Sequence, residues 1–208
     1  INGTVSLKNA HLSDDLLMPS VVSSAGIDAS SITIGGTLNL SNGAFRSSVD
    51  FVHAQVRGSV LAHSAEFGEE VDFQAIAVDG DAEFKGAAFA AVCSFGGGVY
   101  AGLTDFSKAK FGGYTSFKDT RFRHYAVFAG AEFGSMANFS GCRIGGKGRF
   151  NVARFAGLLD FSDAEIKNNA EFNRVRFQDE ADFSGTTFGA TAWFSECVFG
   201  GAALFNST

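Results

Sequence analysis

Four histidines, three cysteines and a column of aspartates are the side chains through which this 208-residue chain could do chemistry. A metal site needs several His, Cys, Asp or Glu donors converging on one point. Acid–base catalysis needs a histidine within reach of both a nucleophile and an orienting carboxylate. His11, His53, His63 and His124 recur at no common interval and show no ligand-type spacing, so neither a metal site nor a catalytic base is expected of them. Cys93, Cys142 and Cys197 lie far apart, each two residues before an apolar residue (Phe95, Ile144, Phe199). They read as small hydrophobes in core slots, and unpaired thiols point to a reducing, cytoplasmic setting. Asp50, Asp72, Asp160 and Asp182 share a spacing of 22, interrupted by Ser94, Ser116 and Asn138. Such a ladder is expected to bond neighbouring backbone groups rather than to move protons. Glycine runs such as Gly96-Gly97-Gly98 follow no strand-to-helix pattern and read as corners, not phosphate loops. The chain is therefore expected to be a non-enzyme with no catalytic, cofactor-binding or metal residues.

The elements that hold these residues follow from the phenylalanines. All 24 fall on one grid whose gaps alternate between five and six residues: Phe45, Phe51, Val56, Ala62, Phe67, Phe73, and so on to Phe199 and Phe205. A period of 11 sustained this long means one unit stacked on copies of itself. At a spacing of 22 the grid separates into four columns. Phe51 to Phe205 and Phe45 to Phe199 are all Phe. A third begins Leu40, Ala62 and then turns to Phe at Phe84. The fourth is mixed and largely β-branched: Ile34, Val56, Val78, Tyr100, Phe122, Ile144, Ile166, Phe188. Two different 11-residue units per turn account for this. Two residues before the grid positions stand small or β-branched residues such as Val49, Ala54, Ala87 and Cys93, and one before stand Asp50, Glu66, Arg121 and Glu132. In an extended chain residues i and i−2 share a side, so the first set faces inward and the second faces solvent. A spacing of 5.5 matches no helix, and 26 glycines punctuate the chain. Gly35-Gly36, Gly58, Gly80, Gly112-Gly113 and Gly145-Gly146 follow the residue that opens each six-residue gap, where a corner with positive φ is expected.

Ala181-Asp182-Phe183-Ser184-Gly185, Ala137-Asn138-Phe139-Ser140-Gly141 and Thr104-Asp105-Phe106-Ser107 resemble the repeats of the pentapeptide-repeat family. The resemblance implies an all-β fold: a right-handed quadrilateral β-helix with Phe or Leu stacked along its axis. The sixth residue on alternate sides departs from the family pattern and gives about 22 residues per turn over roughly eight to nine turns. Residues 27–208 form the repeat domain. Residues 1–26 keep the grid faintly (Leu7, Leu12, Met18) but place Ser23 in a core slot, so they read as a degenerate first turn acting as a cap. No apolar run is long enough for a membrane-spanning helix.

Two surface exceptions stand out. In the last turn the outward class reads Thr187, Trp193, Val198 and Leu204, apolar on three sides of four. Trp193, Val198 and Leu204 are the candidate interface, for a protein partner or for self-association, with a covering C-terminal segment as the alternative. The extra corner residue of the six-residue sides reads Val92, Tyr114, Met136, Leu158, each 22 after the last, with Leu103 and Tyr125 at the opposite corner. Beside this stripe, residues 108–178 carry 12 bases against 6 acids, including Lys110, Arg121, Arg123, Arg143, Lys147, Arg149 and Arg154. The stripe, together with Arg121, Arg143, Arg149 and Arg154, is the secondary candidate surface.

The leading functional expectation is a non-enzymatic protein-interaction scaffold. The alternative comes from the resemblance: some family members protect gyrase, an acidic rod standing in for DNA and dimerising through its C-terminal turns. The acidic first half and the apolar last turn suit that role, and the basic belt opposes it. Nucleic-acid binding by the belt is not expected, because the chain is acidic overall and the basic residues are not interleaved with aromatics.

Overall fold

The spacing of 22 is realised as backbone pairing. The structure, a computed structural model, describes residues 3–207. Within them 37 very short strands form four parallel sheets of ten, nine, nine and nine strands, and no helix is present. Each strand pairs with the one 22 residues on: Val49 with Val71, Gln55 with Ala77, Val60 with Ala82, Glu66 with Ala88. The chain is thus a four-sided β-solenoid of about nine turns. At roughly 4.8 Å per turn it makes a rod about 43 Å long. We number the sheets by their first strands: Thr4–Ser6, His11–Leu12, Leu16–Leu17 and Val22–Ser23. These four strands already pair in register with the next turn.

The core follows the grid. Every phenylalanine from Phe45 to Phe183 is at most 2% exposed, and the alanines two positions ahead of grid residues, such as Ala54, Ala87 and Ala131, are fully buried. Rings stack along a column and meet the neighbouring column edge-on. Phe117 lies parallel to Phe95 and Phe139 at 4.9 and 4.7 Å, and edge-to-face with Phe106 and Phe128 at 5.2 Å each. Both geometries favour the aromatic quadrupole.

The corners differ from expectation. Positive φ occurs once every eleven residues from Asn9 to Ser207, always in the five-residue gaps. There the residue two after the grid position is left-handed and the next N–H returns to the grid carbonyl, as in Ala54 N–H to Phe51 O at 3.0 Å around His53 (φ 57°). This is the pattern of a type II turn. Most of these positions carry residues other than glycine, including the β-branched Val152 (φ 64°). The glycines of the six-residue gaps are not left-handed, which corrects the sequence reading. They are small because successive turns touch through their backbones. A Cβ on Gly58 would lie 2.6 Å from the Gly36 carbonyl, to which Gly58 N–H donates at 2.9 Å.

Candidate interaction surfaces

The aspartate column is occupied by turn formation. Asp50 Oδ1 accepts the Val52 N–H at 2.8 Å, Asp72 that of Gln74 at 2.8 Å, Asp160 that of Ser162 at 3.1 Å and Asp182 that of Ser184 at 2.8 Å. The interrupting residues do the same job, Asn138 for Ser140 and, at longer distance, Ser94 for Gly96 and Ser116 for Lys118. Each is a side chain holding the N–H that leads into the five-residue corner.

The histidines remain apart. His53 sits at a left-handed corner, and His63 Nε2 pairs with Glu83 Oε2 at 2.9 Å on an exposed face. Among the described residues no group of three or more His, Cys, Asp or Glu could hold a metal ion. Cys93 and Cys142 are fully buried, and burial pushes the Cys93 thiol up to about 12 and raises that of Cys142 as well. Cys197 is only half-buried, and its thiol donates to Phe172 O at 2.7 Å. Burial raises its pKa too.

The three candidate interface residues lie on three different sides of the last turn. Trp193 (39% exposed) is on the third sheet, Val198 (56%) on the fourth and the half-buried Leu204 on the first. They do not make one lateral patch. In the same turn Phe199 and Phe205 are 37% and 42% exposed, and Phe188 and Phe194 are half-buried. The grid alone places these four rings inward, like the rest of their columns.

The corner stripe is continuous. Val92 and Tyr114 are exposed and Met136 and Leu158 half-buried, stacked turn on turn where the fourth sheet meets the first. The basic belt is divided among faces. Arg121 and Arg143 are in-register neighbours on the second sheet. Arg149 lies on the third, 3.8 Å from Glu171 and 5.7 Å above the Tyr125 ring at the opposite corner. Arg154 lies on the fourth, between Glu132 and Arg176. A shallow apolar groove of about 400 Å³ also runs along the fourth sheet, floored by Phe67, Gly68, Ala90 and Gly112.

Among the described residues no helix is long and apolar enough to cross a membrane. A family model described as pentapeptide repeats (9 copies) matches residues 117–165 and 161–208. No curated protein and no solved structure matches the chain.

Proposed function

Because this chain is a pentapeptide-repeat protein, we propose that it acts as a protein-interaction scaffold, a stiff rod that engages its partner through the C-terminal turn. The observation that carries this reading is the change in the outward residues of this turn. Trp193 and Val198 are 39% and 56% exposed on the third and fourth sheets, where the two preceding turns place Arg149 and Glu171, and Arg154 and Arg176. Aromatic groups presented on a rigid frame are the usual centre of a protein interface, since they lose little entropy on docking. The rest of the rod supports the same role. Its aspartates hold turns, and its two buried thiols are pushed far above neutral pH.

A second copy of the chain is the first partner to test, because both copies would cover the same rings by the same contacts. Sedimentation equilibrium of the wild-type protein is expected to show a concentration-dependent dimer, abolished in Trp193→Asp/Leu204→Asp. A single-chain mass at every concentration, together with equal recovery of all binding proteins by wild-type and variant baits, would overturn the proposal.

A further inference from the structure

Some charges along this rod are answered by the residue one turn away. Lys110, Glu132 and Arg154 alternate in sign in consecutive strands of the fourth sheet. Arg149 stacks on Glu171, and Arg174 is held by both carboxylate oxygens of Glu196, at 2.9 and 3.4 Å. Arg174 is correspondingly raised in pKa, first through that hydrogen bond. Like charges also meet in register, as Asp50 and Asp72 do on the first sheet, and on the second sheet they do so beside a depression. Arg121 and Arg143 face each other in direct register, an arrangement that like charges disfavour. Arg123 lies two residues past Arg121 on the same outward side, and Lys167 lies in the same position two turns on. Between them stands Gly145, which leaves the floor without a side chain. A Cβ there would lie 2.4 Å from Arg123 O, so backbone contact keeps this gap open. These residues, with Phe122 and Glu165, line one depression of about 410 Å³. Glu165 is the acid among them; it is in register with Arg143 and lies 3.8 Å from its Nε, as Glu171 does from Arg149.

We infer that Arg121, Arg123, Arg143 and Lys167 form a binding site for a small anion bearing two phosphoryl groups. Four cations against one carboxylate leave an excess of three positive charges around an open floor. The three guanidinium groups offer forked donors that match phosphoryl oxygens, and Lys167 adds an ammonium. Arg121 and Arg143 are one strand spacing apart, about 4.8 Å, and Arg123 and Lys167 two spacings, about 10 Å. A single phosphate reaches one of these pairs, and a diphosphate reaches both. The bound anion removes the repulsion between Arg121 and Arg143 that the unliganded rod carries. The other in-register arginine pair, Arg154 and Arg176, is likewise flanked by one in-register acid, Glu132, but the neighbouring Arg174 is held by Glu196 at 2.9 Å.

The test uses sodium pyrophosphate as probe, read by calorimetric titration and by thermal midpoint, with sodium chloride at matched ionic strength as reference. The wild-type protein is expected to bind pyrophosphate and to rise in midpoint beyond the chloride control. Arg121→Gln/Arg143→Gln is expected to bind roughly tenfold more weakly or worse, while its ligand-free midpoint stays level or rises because the opposed charges are gone. Arg154→Gln/Arg176→Gln is expected to bind as wild type. No wild-type response beyond the chloride control would overturn the site. Equal loss in both double variants would also overturn it, by showing a diffuse polyanion attraction of the whole belt.

Discussion

At Phe117 a single ring meets six others, two by stacking, three by edge contact and one tilted, with no exposed surface. Truncating it leaves a cavity that the turns above and below cannot close without losing their own register. Phe117→Ala is expected to cost about 3–5 kcal/mol, seen as a large drop in thermal midpoint. Tyr100 presents the opposite case. It occupies a core slot beside Phe122 at 5.5 Å, and its hydroxyl is buried with no hydrogen-bond partner. Burial raises its pKa steeply. Tyr100→Phe removes a desolvated hydroxyl and keeps the ring, so a gain of about 1 kcal/mol and a higher midpoint are expected. Phe117 was legible as core from its place on the grid. The missing partner of Tyr100 was not, because hydroxyl satisfaction depends on what neighbouring columns place within 3 Å or so.

The turn and its holding side chain form the next scale. Asp72 accepts the Gln74 N–H, yet its carboxyl is held above the usual range, first by burial and then by Asp50 and Glu70 nearby. A carboxyl raised in the fold is one whose ionised form the fold disfavours. Its cost is therefore present above the folded pKa and fades as pH falls through that value. Asn138, two residues before Ser140 in the same sheet, shows that an amide oxygen serves the turn equally well. Asp72→Asn is expected to raise the midpoint at neutral pH by about 1 kcal/mol or less, given partial solvent screening. The two proteins should converge as pH falls through the raised folded-state pKa and the carboxyl protonates. A midpoint lowered at neutral pH would show that the charge, not the acceptor, holds the turn. The column of turn residues was legible from its spacing of 22. The location of the left-handed residue was misread, because glycine marks both positive φ and close backbone approach. At Gly58 the second reason operates.

Over the whole rod, 12 acids against 4 bases in residues 1–107 give way to 12 bases against 6 acids in residues 108–178, and residues 179–208 add only acids. A surface standing in for duplex DNA needs unbroken negative charge along its length. The basic belt interrupts it on the second, third and fourth sheets at Arg121, Arg149 and Arg154. No inhibition of gyrase supercoiling is expected at micromolar protein; inhibition would reinstate the DNA-mimic reading. The sequence by itself determined the number of residues per turn, the four columns and the inward set. In a stacked coil every turn repeats the same contacts, so local spacing and long-range pairing are the same information. Tertiary structure alone decided what meets across a corner and which buried polar group finds a partner. Arg149 comes to lie 5.7 Å above the Tyr125 ring, and the Tyr100 hydroxyl is buried with no hydrogen-bond partner. Those outcomes depend on how the chain bends at each corner and how neighbouring columns pack, which a spacing of 22 does not contain.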